Sequence, residues 1–296
     1  MTRTAATTAA AAVGAVAAPR PLAAPLRGAL RVYKWELLKL RAQKRTYLGL
    51  GLAALVPIAF VVALIFKSGG PSDIVLGRYI RESGLATPFV VLEFMAIWGL
   101  PLITALVAGD IVASESHNGT LKTILTRSRD RGEVFAGKLL ATITYTAAAV
   151  ALMAGVGLAA ATAEWGWKPL VSLSGPRVSA DRSLVLLLAT LGIYLLVLLG
   201  VAAFGVLIST VTRNSAAAVV STLMFALLMQ LVGALPGTES VRPYLLSNQF
   251  VAWHGLLRVP VDWAPITHAL WIAALYLAVP AFAAYLVFLR RDVAGD

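Results

Sequence analysis

Residues 132–138 read Gly-Glu-Val-Phe-Ala-Gly-Lys, the G-x-x-x-x-G-K spacing in which a glycine-rich loop cradles phosphates and its lysine reaches their oxygens. Two features oppose that chemistry. Leu139 stands where a Ser or Thr hydroxyl should meet magnesium, and a long apolar run follows where a soluble helix is required. The three histidines, His117, His254 and His268, lie far apart with no H-E-x-x-H pattern and no paired carboxylates beside them. The chain has no cysteine, which excludes disulfides, thiolate nucleophiles and cysteine-held metal clusters. No catalytic residue, cofactor or metal is therefore expected, and any ATP-driven activity needs a second polypeptide. What remains is Glu93, the one ionisable group well inside an apolar run, and Gln230 in another such run. A charge in hydrocarbon costs about 2.5 to 3.5 kcal/mol on insertion scales, so it tends to face a cavity or a partner.

The elements that must position these groups follow from composition. Of 296 residues, 59% are hydrophobic and 13% charged, and the mean hydropathy is +0.82, which no soluble domain matches. Six apolar stretches are each long enough to cross a hydrocarbon core of about 30 Å: Thr46 to Phe66, Ala86 to Gly109, Leu139 to Thr162, Leu184 to Val211, Ser215 to Leu235, and Thr267 to Leu289. The expected fold is an all-α integral membrane protein with six transmembrane helices. Placing both termini in the cytoplasm puts 17 Lys and Arg in the inner segments and 8 in the outer loops, so the net charge of +11 reads as a topology signal strengthened by membrane lipid, not as a nucleic-acid surface.

Residues 1–29 are rich in Ala and Thr, the Ala/Thr run after Arg3 holds no Leu, Ile or Phe to make the apolar core of a secretory leader, and the segment reads as a disordered cytoplasmic tail. In residues 30–45, Leu30, Tyr33, Leu37 and Leu40 recur at helical spacing while Arg31, Lys34, Arg41 and Lys44 occupy other faces. That predicts an amphipathic helix lying along the inner leaflet. The six-span domain then covers 46–289, and 290–296 form a second cytoplasmic tail. Pro57 and Pro101 predict kinks in the first two spans, and Gly155 with Ala159 predicts a close helix contact. Outside, the Pro- and aromatic-rich segment from Pro236 to Ile266 predicts short interfacial or partly re-entrant pieces, its tryptophans and those at 165 and 167 acting as interfacial anchors.

The cytoplasmic loop 110–138 carries the most specific pattern: Glu115, then Gly119-Thr120-Leu121-Lys122, then Ile124, Leu125 and Thr126, then Arg131 and Lys138 at the mouth of the third span. With the six-span order, this resembles the type-2 ATP-binding-cassette (ABC) export permeases, over nearly the whole chain after residue 30. Ser128 and Asp130 replace the proline and serine usual there. The resemblance implies that Glu115, Gly119, Thr120, Leu121, Lys122, Ile124, Leu125, Arg131 and Lys138 couple to a separate ATPase. It implies two copies of that ABC ATP-binding subunit, holding ATP and Mg, and a second permease subunit, identical or similar. It also implies a location in a cell membrane, the bacterial cytoplasmic membrane, with Glu93 and Gln230 as translocation-path candidates about 7 to 10 Å below the outer surface. The exported substrate cannot be read. The rival reading, a secondary transporter driven by an ion gradient, calls for interrupted helices and charged pairs near mid-membrane.

Overall fold

The computed structural model describes residues 23–66, 75–120 and 130–290. Its helices are α1 (Ala23–Ala42), α2 (Lys44–Phe66), α3 (Ala86–Ala96), α4 (Gly99–Ala108), α5 (Ala113–His117), α6 (Arg131–Trp165), α7 (Ala180–Val211), α8 (Ser215–Ala234) and α9 (Ala264–Arg290). The only sheet among the described residues is a small hairpin, β1 (Leu170–Val171) antiparallel to β2 (Arg177–Val178), with Leu170 opposite Val178. Six helical stretches are long and apolar enough to cross a membrane, the second of them running from Gly99 to His117.

Local chemistry explains the boundaries. Asp130 caps α6 by accepting a hydrogen bond from the Gly132 amide at 2.9 Å, and Asn214 caps α8 by accepting one from Ala217 at 3.1 Å. Asp130 thus sets the helix start at the position where the resembled pattern has another small polar residue. The second span departs from expectation: instead of one kinked helix from Ala86 to Gly109, α3 and α4 are separate, with Trp98 in a non-helical conformation between them. Pro101 accounts for this, because it lacks the amide that would bond the Ile97 carbonyl and its ring crowds that same group. Pro57, by contrast, sits inside a continuous α2.

The expected disordered tail gives way to helix at Ala23, and α1 stops at Ala42 where the predicted amphipathic helix continued to residue 45. Pro25 falls in its first turn, where no amide partner is lost.

In the interior, α6 receives α1 and α2 as well as α3 and α4, while α7 packs along most of α9. Several buried threonines donate to the carbonyl four residues back, as Thr142 does to Lys138, Thr190 to Leu186 and Thr222 to Ala218, which satisfies those hydroxyls without water. Large apolar side chains on α2, α8 and α9, among them Leu55, Ile58, Leu228, Leu231, Val279 and Phe282, point outward, as lipid contact requires. Gly155 meets nothing within 4 Å and Ala159 is exposed, so the close contact expected there is not made within the chain. Close approach occurs at Gly109 instead, where an added Cβ would lie 2.7 Å from Val219 Cα on α8.

Candidate functional site

At the end of the bundle where α1 meets α6, two ammonium groups and two carboxylates alternate. Lys138, in the second turn of α6 and fully buried, donates to Glu36 Oε1 at 3.0 Å and to the Ile111 carbonyl at 3.0 Å, and its Nζ lies 2.7 Å from Glu115 Oε2. Lys39 completes the ring, its Nζ 2.9 Å from Glu36 Oε1 and 2.5 Å from Glu115 Oε1. Each carboxylate therefore faces two cations. Burying one charge alone would be prohibitive, but this arrangement repays desolvation by pairing every member. Burial by itself would lower the Lys39 ammonium, yet Glu115 and Glu36 outweigh it and hold its pKa above the ordinary 10.5. Because Lys138 is committed here, and residues 132–138 form helix rather than a loop, the G-x-x-x-x-G-K spacing builds no phosphate cradle.

A second buried pair adjoins the ring. Asp110, after α4, is paired with Arg45 in the first turn of α2 and accepts a hydrogen bond from Ser215, the first residue of α8. Ser209 of α7 accepts from the amides of Val112 and Ala113 at 3.0 and 2.9 Å, satisfying the start of α5 from another helix. The short α5 is thereby fixed at its start by α7 and through Glu115 by α1 and α6. It ends at Gly119, whose φ of +69° is a left-handed turn that favours glycine. Thr120 Oγ1 donates to the Glu115 carbonyl at 3.3 Å.

The expected coupling residues therefore divide. Glu115 and Lys138 are brought together inside the ring. Arg131, at the start of α6, donates to the Leu289 carbonyl in the last turn of α9 at 2.6 Å, a favourable place for a cation. Gly119 and Thr120 lie at the ring's edge, and Leu121, Lys122, Ile124 and Leu125 lie outside the described residues. Glu36, Lys39, Arg45, Asp110, Ser209 and Ser215 were missed by the sequence reading. For Glu36 a signal existed: it falls three after Tyr33 and four before Leu40, on the apolar edge of α1, and an acid at such a register asks for a buried partner. The structure also revises that edge, since Leu30 is exposed while Ala29, Glu36 and Leu40 are buried.

Toward the other end, Glu93 on α3 meets His254 with 3.5 Å between Oε2 and Nε2, so one of the scattered histidines does have a carboxylate beside it in space. Gln230 is not part of that pair. It lines a small crevice with Ala96, Pro101 and Phe250 that does not include Glu93. Among the described residues no group of three or more His, Asp and Glu gathers as a metal site would require. His254 belongs to a 3₁₀ segment, Leu246–Gly255, that packs onto α7, α8 and α9 as a cap. Trp253 in this segment is fully buried against Phe89, with ring centroids 5.3 Å apart, and is not the interfacial anchor expected, whereas Trp263 remains exposed. The hairpin β1–β2 takes part in the cap, with Leu173 N donating to Leu257 O at 2.9 Å and Val259 N to Ser174 Oγ at 3.0 Å.

Fold and site together define a multi-pass, all-α membrane protein with a buried charge ring at one end and a cap built on a 3₁₀ segment at the other. Over residues 58–294 the chain matches the family described as "Protein of unknown function (DUF2705)", and it belongs to that family. Comparison with curated proteins gives no match. The matched span contains Asp110, Glu115 and Lys138 but begins after their partners Arg45, Glu36 and Lys39.

Proposed function

We propose that this protein is the membrane subunit of an ATP-driven exporter of the type-2 ABC class, with both termini and the charge ring on the cytoplasmic side of a bacterial membrane. The observation that supports this reading most is the anchoring of α5. A loop that receives force from an ATPase must pass it on without yielding, and Glu115, four residues before Gly119, is tied to Lys138 on α6 and Lys39 on α1. Movement at Gly119 and Thr120 then reaches the third span and α1 together. Two such subunits, or this one with a similar partner, would enclose the path, each served by one ATPase holding ATP and Mg. Glu93 and Gln230, near the outer end, remain the path candidates.

An ion-gradient-driven transporter is the second reading, favoured by the interruption at Trp98 and the Glu93–His254 pair nearby. One experiment separates them. The chain lacks cysteine, so Thr120→Cys introduces a single labelling site. Labelling of Thr120→Cys from the cytoplasmic side only, blocked when a co-purified subunit that hydrolyses ATP is bound, is the expected result. Labelling from outside, or purification with no ATP-hydrolysing subunit, overturns the exporter reading.

A further inference from the structure

Beside the charge ring, a cavity of about 610 Å3 opens between α1, the first turn of α2 and the α4–α5 region. Its volume falls in the range of small-molecule sites. Lys39, Lys44 and Arg45 line it with the carboxylates Glu36 and Glu115, and apolar Leu40 and Ile111 share the wall with uncharged polar side chains. Lys39 and Arg45 are engaged by Glu115, Glu36 and Asp110, yet their side chains keep 41% and 27% of their exposure. Lys44 is exposed and has no ionic partner among the described residues. With Lys39 and Lys138 balancing Glu36 and Glu115, and Arg45 balancing Asp110, Lys44 is the cavity's uncompensated charge, beside a wall that is part polar and part apolar, which suits an anionic amphiphile better than a neutral or cationic solute.

The neighbouring surface has the same character. The outer face of α1 interleaves exposed Leu26, Leu30 and Leu38 with Arg27, Arg31 and Lys34, a pattern that rests at a membrane interface with the bases at headgroup level. Immediately after the cavity, Tyr47 and Leu48 on α2 are about 60% exposed and offer apolar surface leading into the bilayer. We infer that this cavity is a binding site for an anionic phospholipid of the inner leaflet, its phosphate held by Lys44 and Arg45 and its chains lying along the start of α2. Basic pockets between helices at the cytoplasmic face are suited to such headgroups. The ligand would wedge α1 against α2 next to the ring. The inference rests on the cytoplasmic orientation of this end and not on the exporter reading.

The test uses the purified full-length chain, freed of lipid and titrated with phosphatidylglycerol or phosphatidylcholine under native mass spectrometry. Tight retention of one phosphatidylglycerol per chain is expected, not displaced by excess inorganic phosphate. One charge near the surface is worth about fivefold in affinity, so Lys44→Gln weakens retention by about that factor while Arg177→Gln, exposed on β2 and away from this end, leaves it unchanged. Lys44 is exposed and unpaired, so its replacement keeps the fold, and an unchanged melting temperature checks this. Equal retention of both lipids, which leaves the cavity to an acidic protein segment, overturns the inference. So does wild-type retention in Lys44→Gln, or displacement by phosphate, which assigns the site to a free anion.

Discussion

Replacing Lys138 by Met puts the charge ring to a direct test. Methionine fills a similar volume without the ammonium, so packing changes little and the electrostatic loss is isolated. Glu36 and Glu115, with side chains only 6% and 11% exposed, then share a single cation, Lys39, and the Ile111 carbonyl loses its donor. Removing one member of a buried ion pair costs about 3 to 5 kcal/mol. Lys39 stays in contact with both carboxylates, which places the expected loss at the lower end, about 3 kcal/mol. At roughly 2 to 4 °C per kcal/mol, the melting temperature should fall by about 6 to 12 °C. The seven tryptophans permit a fluorescence-detected thermal scan in detergent. Adding Glu115→Gln removes one of the stranded carboxylates, so the double variant should regain more than half of the loss, a coupling that independent sites do not show. A single variant that melts with the wild type, or a double variant less stable than the single one, refutes the account of the ring.

Three further outcomes follow from particular contacts. Asp130→Ala removes the cap of α6 and should cost about 1 kcal/mol, read as a melting temperature lower by a few degrees and rescued by Asp130→Ser. Gly109→Ala drives a methyl group against the backbone at Val219 and should destabilise by about 1 to 3 kcal/mol, whereas Gly155→Ala, with open space, should fall within about 0.5 kcal/mol of the wild type. The raised pKa of Lys39 gives a sign: its stabilisation is complete below its ordinary 10.5 and is lost as pH climbs through the raised value. Wild type should therefore lose melting temperature above pH 10.5 more steeply than Lys39→Met, and parallel curves for the two would sink that assignment.

The sequence by itself determined the membrane class and, the second span apart, the helices that serve it. Hydropathy over some 20 residues is a local, additive property, and it needs no knowledge of neighbours to say which segments tolerate lipid. Caps are local as well: Asn214, in the short gap between the fourth and fifth apolar runs, caps α8 through its own side chain. The interruption at Trp98 lay partly in view, since Pro101 announced a distortion, but whether a proline bends or breaks a helix depends on what its neighbours pack against. Tertiary structure alone decided the partners of the charges. Lys138 finds Glu36 across 102 residues of chain, and Lys39 finds Glu115 across 76. No periodicity encodes such pairings, because they exist only once α1, α5 and α6 converge. Likewise Glu93 was conspicuous in its apolar run, but its meeting with His254, 161 residues away, had to await the folding of the 3₁₀ segment that carries the histidine. Solvent preference is written residue by residue along the chain, whereas charge compensation is a property of the space that the folded helices share.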